Sequence, residues 1–231
     1  MISVCIPTYN GGKFIRQQLG SILSQLSNDD EIIISDDSST DNTLEIINSF
    51  NDKRIKVFEN NTFHSPIYNL ENALKQAGGD YIFLSDQDDE WMLNKISVVM
   101  EHLKSANLVV HDAQVVDGEG KQLYKSFFEL NHTKSGKFYN LFKNGYIGCC
   151  IAFNRHVLET CLPFPKNLPM HDLWIGNVAA FKCGRVRFIK DCLISYRRHG
   201  NNASITGGKS NRSIKEKLSD RVCILHNLFL R

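Results

Sequence analysis

A chain of 231 residues with 42% hydrophobic and 23% charged side chains is long enough to bury a full core. No apolar run approaches the roughly 20 residues of a membrane span, and the start runs straight into strand-like sequence without a basic n-region, so neither a spanning helix nor a signal peptide is expected. The net charge of +2 conceals an asymmetry: residues 1–181 hold 15 Lys/Arg against 22 Asp/Glu, residues 182–231 hold 12 against 3, and such a basic tail meets anionic lipid, a phosphorylated ligand or solvent alone.

Residues 2–6 form a short apolar run closed by the turn formers Pro7-Thr8-Tyr9-Asn10-Gly11-Gly12, which predicts a strand and a tight loop. From Lys13 the positions Phe14, Ile15, Leu19, Ile22, Leu23 and Leu26 follow a helical stripe. Residues 32–34 are apolar on both faces, as in a central parallel strand, and end in Ser35-Asp36-Asp37-Ser38-Ser39-Thr40-Asp41 before a helix over 43–50. A third strand is predicted at 55–58, and Pro66 opens a helix that Gly78-Gly79 stops. The fourth strand, Ile82-Phe83-Leu84, ends in Ser85-Asp86-Gln87-Asp88-Asp89-Glu90. Four acidic residues in five positions call for a cation or for solvent, and carboxylate oxygens suit Mg²⁺ or Mn²⁺. Four strand–helix alternations predict an α/β fold with a doubly wound, mostly parallel sheet and helices on both faces. The glycine-rich phosphate loops of other nucleotide-binding sheets are missing, so a nucleotide would be held by side chains and a metal.

After a helix over 93–104 the rhythm changes, and antiparallel additions are expected. A strand over 108–116 holds His111 and Asp112, a turn at Asp117-Gly118-Glu119-Gly120 leads to a strand over 122–128, and the small residues of 145–153 predict another strand where something approaches the backbone closely. A helix over 154–160 and a proline-punctuated loop follow, and the loop delivers Met170-His171-Asp172 to a helix running to about Lys182. Two strands are predicted at 186–189 and 193–197, then a basic loop, Arg197 to Asn202. From Arg212 the stripe Ile214, Leu218, Val222, Leu225 and Phe229 predicts a last helix, which either packs on the domain or lies on a membrane surface. The pattern is still helical at Arg231, as in a chain that continues. Seven cysteines without C-x-x-C spacing exclude a zinc knuckle and a disulfide framework, and a reducing cytoplasm is expected.

The runs Val4-Cys5-Ile6-Pro7-Thr8-Tyr9-Asn10, Ile34 to Asp41 and Leu84 to Asp89, in that order and spacing, together resemble the family 2 glycosyltransferases with the GT-A fold. The resemblance covers residues 1–205, divided into a nucleotide-binding half (1–105) and an acceptor and catalytic half (106–205), with a basic amphipathic helix at 206–231. Asp86 to Trp91, Met170 to Trp174 and Tyr196 to Asn202 bring it near bacterial enzymes of polysaccharide and O-antigen synthesis, often rhamnosyltransferases. The resemblance implies that Pro7, Thr8 and Tyr9 line the nucleotide base and that Asp37 accepts from its imide N–H. Capping of the next helix is the other account of the Asp36 and Asp37 pair, and Asp41 is expected to cap. Asp86 and Asp88 correspond to the metal-binding D-x-D pair, with Asp88 the direct ligand and Asp86 nearer the ribose. His199 is expected at the metal or the diphosphate, and Arg197 or Arg198 at phosphate oxygens. Asp172 is the expected base for an inverting transfer; the family commonly has Glu-Asp here, and His171 departs from that. Trp91 and Trp174 either stack on a sugar or pack in the core.

The expected activity is therefore transfer from dTDP-rhamnose or a UDP-hexose to a polysaccharide or lipid-linked glycan acceptor, with Mg²⁺ or Mn²⁺. Peripheral contact with the inner membrane face is expected, and no nucleic-acid partner. Two other readings stand beside it: a Mg²⁺-dependent phosphoryl or nucleotidyl transferase, and a non-catalytic nucleotide-sugar-binding domain.

Overall fold

The computed structural model describes residues 1–200 and 213–230; Asn201 and Asn202 of the basic loop and Arg212 lie outside them. The first half alternates as its apolar periodicity requires: β1 (Ile2–Thr8), α1 (Ile15–Leu23), β2 (Glu31–Asp36), α2 (Thr43–Ser49), β3 (Ile55–Phe58), α3 (Pro66–Gln76) and β4 (Tyr81–Leu84). β1 pairs in parallel with β2 and β4, and β2 with β3. β1 and β2 are buried almost throughout, which accounts for sequences that are apolar on both faces. The register sets Thr8 against Asp36 and Cys5 against Leu84, so three strands deliver their polar ends to one edge.

The second half comprises β5 (Glu90–Trp91), α4 (Lys95–Leu103), β6 (Leu108–Val116), β7 (Gln122–Tyr124), α5 (Phe127–Asn131), α6 (Lys137–Phe142), β8 (Ile151–Asn154), α7 (Arg155–Cys161), α8 (His171–Val178), β9 (Val186–Arg197) and α9 (Ile214–Leu230). Among the described residues the strands form one sheet in the order β3-β2-β1-β4-β8-β6-β9-β5, with β7 beside β6. β8 runs antiparallel to both β4 and β6, and β6 runs parallel to β9, so β9 also ends at the edge where β4 ends. β5 pairs antiparallel with β9. Only residues 85–89 separate β4 from β5, although β8, β6 and β9 lie between them in the sheet. Four interstrand steps in a flat sheet would be about 19 Å; instead the sheet curls, and the rings of Phe83 and Trp91 are 5.7 Å apart.

Several expected boundaries differ. The strand expected over 122–128 stops at Tyr124, because Ser126 caps a short helix by accepting from Glu129 N–H. The strand expected over 145–153 begins only at Ile151, after a 3₁₀ turn over Gly148–Cys150. The two strands expected over 186–197 are one, with register shifts against β6 near Asp112. The two-residue β5 and the short α6 were not anticipated, since neither is long enough to show a period. α9 buries Ile224 and Leu228, whereas Leu218, Val222 and Phe229 of the expected stripe are exposed.

One buried polar side chain ties α1 to the end of β4. Gln18 is fully buried between the apolar residues Ile15, Leu19 and Ile22. Its Nε2 donates to Ser85 Oγ at 2.6 Å and to the Asp86 carbonyl at 2.8 Å. Gln18→Ala leaves both acceptors short of a donor, and we expect it to lower unfolding free energy by about 2 kcal/mol in urea titration.

Candidate active site

The turn after β4 is built from backbone outward. Besides Gln18, it is held by Arg197, whose N–H donates to Asp89 Oδ1 at 2.9 Å and whose Nε donates to the Asp88 carbonyl at 3.0 Å. The same guanidinium reaches the Gly118 carbonyl and Gln17 Oε1, both at 3.3 Å, and Arg197 is buried. Arg197, expected at a phosphate, thus clamps the end of β9 to the acid turn. On the other side Gln87 bridges to the loop after β1: its Oε1 accepts from Tyr9 N–H at 2.9 Å and its Nε2 donates to the Tyr9 carbonyl at 3.0 Å. A side chain at Gly11 would collide with Gln87. Gln87 sits inside the D-x-D spacing, yet its role was not read from the sequence.

These contacts leave the carboxylates crowded. Asp88 Oδ2 lies 2.7 Å from His199 Nε2, whose ring packs on Phe14. Asp86, Asp89 and Cys149 place one ligand atom each within 4.8 Å of one another. Burial, then the neighbouring Asp88 charge, push Asp86 up to about 7, and the same two causes raise Asp89 well above the ordinary range. Asp89 Oδ2 is buried without a hydrogen-bond partner in the structure. Oxygen-rich, charge-crowded and incompletely satisfied, the edge fits a divalent cation, and the ligand atoms that the structure brings together for it are those of Asp86, Asp89 and Cys149. Behind it stands a fully buried cation that was also missed in the sequence. Lys95 Nζ donates to the Cys149 carbonyl at 3.0 Å and lies 4.0 Å over the Trp91 ring. Burial lowers its pKa to about 8, opposed by the nearby thiols and by Asp89 and Asp86.

The nucleotide side is formed by β1 and β2. Thr8 Oγ1 donates to Asp36 Oδ1 at 2.8 Å, and Asp36 also receives Ser39 N–H and Oγ. Asp37 is bound to Phe63 N–H at 2.6 Å and Ser65 N–H at 3.3 Å, so its carboxylate shapes the 60–65 loop. Asp41 accepts from Thr43 N–H at the start of α2, as a cap does. Tyr9 is 56% exposed, available for stacking. It borders a cleft of about 400 Å³ lined also by Gly11, Phe14, Gln87 and His199. Pro7 lies in β1 directly before Thr8.

A further carboxylate stands at the start of α8. Asp172 is buried in the first turn, with Oδ1 receiving Leu173 N–H at 2.6 Å and Oδ2 receiving Asn144 Nδ2 at 3.4 Å. Burial raises its pKa to about 6, partly offset by those donors and by Arg221. The Asp172 charge in turn contributes to the rise at Asp86, so the two carboxylates share one electrostatic neighbourhood. His171 is buried with Nδ1 unpartnered, and its Nε2 presses on Gly148, where an added Cβ would lie 2.7 Å away. Burial lowers it to about 4, which keeps the ring neutral. Trp91 and Trp174 are both buried and pack in the core. Asp112 receives Ser126 Oγ and Phe128 N–H and latches β6 to α5.

A family profile described as "Glycosyl transferase family 2" matches residues 3–162. The chain is 29% identical over 203 residues to the Escherichia coli UDP-Glc:alpha-D-GlcNAc-diphosphoundecaprenol beta-1,3-glucosyltransferase WfgD, covering 80% of this chain and 74% of the relative. It is 30% identical over 163 residues to the Campylobacter jejuni GalNAc(5)-diNAcBac-PP-undecaprenol beta-1,3-glucosyltransferase, covering 63% of this chain and 52% of the relative. The fold is similar to that of S. aureus TarS 1-349 in complex with UDP-GlcNAc, with a TM-score of 0.71 and 21% identity over all of this chain and 68% of that one. It is also similar to a Pyrobaculum calidifontis mannosyltransferase in complex with GDP-Man and Mn²⁺, with a TM-score of 0.65 and 19% identity over 87% of this chain and 58% of that one. With the strand ends and the acid turn inside the span of the profile, the chain belongs to the family 2 glycosyltransferases and has the GT-A fold.

Proposed function

We propose that this chain transfers a hexose from a UDP-sugar to a lipid-linked glycan at the inner membrane surface, inverting the anomeric carbon. Residues 1–105 supply the nucleotide site and residues 106–205 the base and the acceptor side. The observation that carries this reading is a buried carboxylate, Asp172, in the same electrostatic neighbourhood as Asp86. The undecaprenol-linked substrates and UDP-Glc in the names of the relatives support the choice of acceptor and donor.

In this reading Pro7, Thr8 and Tyr9 line the uracil, and Asp37 lies at its imide edge. Asp86, Asp88 and His199 would hold Mg²⁺ or Mn²⁺, which would neutralise charge on the departing diphosphate. Asp172 takes the proton from the acceptor hydroxyl as that oxygen bonds to the anomeric carbon and the carbon–phosphate oxygen bond breaks on the opposite face. One carboxylate is enough, because inversion needs no covalent intermediate. Its raised pKa suits a general base, because a carboxylate titrating near 6 is ionised at neutral pH yet more basic than an ordinary aspartate. Asn144 keeps Asp172 aimed, and the neutral His171 beside it adds no charge to compete for its proton.

Calorimetric titration with UDP, dTDP and GDP, each with Mn²⁺ and with EDTA, tests the donor site. UDP should bind at least about tenfold more tightly with Mn²⁺, and Asp88→Ala should erase that difference. Tighter binding of dTDP would redirect the donor to dTDP-rhamnose, and no binding by any nucleotide would refute the site.

Asp172→Asn should reduce turnover by about 10³-fold or more while retaining UDP binding. In the native chain kcat should fall about tenfold per pH unit below about 6, as Asp172 protonates, and level off above. The stability sign is opposite. A folded pKa raised from 3.8 to about 6 stabilises the fold below pH 3.8 and loses that contribution as pH rises through 6. Asp172→Asn should therefore leave the urea midpoint at pH 7.5 equal or higher. Full turnover in this variant would remove Asp172 as the base.

A further inference from the structure

The apolar stripe of α9 is mostly uncovered by the domain, with only Leu225 partly packed against the core. Leu218, Val222, Leu225 and Phe229 recur at helical spacing, and Leu218, Val222 and Phe229 are 61%, 59% and 72% exposed. The residues that bury α9 are Ile224 and Leu228, centred about 110° around the helix from that stripe. Burial against the domain therefore explains one face of α9 and leaves the more apolar one uncovered. The charges are sorted around it as well. Exposed Lys215 flanks the stripe and Glu216 and Asp220 lie on the side opposite it, while exposed Lys217 lies on the side of Ile224 and Leu228, about 110° from the stripe.

The surface continues onto α6. Arg221 Nη2 donates to the Phe142 carbonyl at 3.0 Å, which sets the end of α6 beside α9. Leu218 and Leu225, three before and four after Arg221, share the side of the helix that carries this bond. α6 exposes Phe142 at 68% and Phe138, one turn earlier, at 65%, with exposed Lys134, Lys137 and Lys143 around them. Two residues beyond Phe142, Asn144 contacts Asp172, and the Arg221 charge acts on the same carboxylate. An apolar face edged with lysines thus lies one short step from the site of proton removal.

We propose that the α6–α9 face docks on an anionic bilayer surface, with Phe138, Phe142, Leu218, Val222 and Phe229 entering the headgroup boundary and the lysines meeting lipid phosphates. The inference deepens the reading of a lipid-linked acceptor and names the surface that would bring Asp172 to it. No described helix is long and apolar enough to cross a membrane; an exposed apolar stripe with cations at its margin and acids opposite is the pattern of a helix that lies in the interface. A second copy of the chain would fit less well, because the exposed lysines of α6 and α9 would face their own images across a symmetric contact.

Co-sedimentation of the full chain with vesicles decides the matter. Binding should be strong with phosphatidylcholine and phosphatidylglycerol at 3:1 and at least about tenfold weaker with phosphatidylcholine alone. In 0.5 M NaCl it should weaken without vanishing, since apolar insertion is not screened. Leu218→Ser/Val222→Ser/Phe229→Ser and, separately, Lys143→Glu/Lys215→Glu should each weaken binding to anionic vesicles at least about tenfold. Circular dichroism and Mn²⁺–UDP titration check that these variants remain folded. Should the triple variant misfold, Val222→Trp serves alone, and its emission should shift to the blue on addition of anionic vesicles. Absence of binding by the native chain, variants that bind unchanged, binding that salt abolishes completely, an unshifted Val222→Trp spectrum, or a native dimer that the stripe variant converts to monomer would each overturn the proposal. Turnover on a soluble acceptor without vesicle binding would remove the docking face and leave the transferase reading standing; vesicle binding without turnover or nucleotide binding would do the reverse.

Discussion

The link between β4 and β5 constrains everything around it. Five residues carry the chain from the middle of the sheet to a strand that pairs at its far edge, and a flat sheet would leave those two strands too far apart for a turned segment. The sheet therefore curls, and its curl brings the end of β9 onto the same turn. Arg197 then serves as the fastener, with its N–H on Asp89 and its guanidinium on the Asp88 carbonyl. Gln18 and Gln87 fix the turn from α1 and from the loop after β1. The carboxylates are thus positioned by neutral donors and backbone, with Asp86 and Asp88 as the pair that would take a ligand.

That arrangement carries an electrostatic load. Crowded and buried, Asp86 and Asp89 rise in pKa, and Lys95 supplies an internal cation from behind, at the first residue of α4. An ammonium at a helix N-terminus opposes the helix dipole, so its position makes sense only through the carboxylates and the Cys149 carbonyl it faces. A bound divalent ion would relieve the same crowding from the front. Pre-set donors that need no rearrangement when charge develops are the main resource of such a site. At the start of α8 Asp172 is raised by burial alone, with no second carboxylate needed to tune it.

The C-terminal helix joins this chemistry to the acceptor side. It packs through Ile224 and Leu228, reaches α6 through Arg221, and leaves its most apolar stripe outside. Helical periodicity reports that a face is apolar; it does not report which neighbour covers it. The stripe from Leu218 to Phe229 was therefore visible in the sequence, whereas its direction was not.

The same division runs through the whole molecule. Local physics determined the four alternating strands and helices of the first half, because each has a period of its own, and it marked the acid turn, because four carboxylates beside a buried strand demand an explanation. Spacing of three motifs then pointed to the family and to Asp37, Asp86 and Asp88 as candidates, and two further runs, Met170 to Trp174 and Tyr196 to Asn202, added Asp172 and His199. What the sequence could not carry were partners made by closure of the sheet. Arg197, expected with Arg198 as a candidate at phosphate oxygens, makes a buried clamp; Gln18, Gln87, Lys95 and Asn144 reach residues tens of positions away. β5 has two residues and exists only because β9 is there to pair with it. The sequence by itself determined which side chains could do the chemistry; the tertiary structure alone decided which are placed to do it, since hydrogen-bond partners are assigned only when distant segments meet.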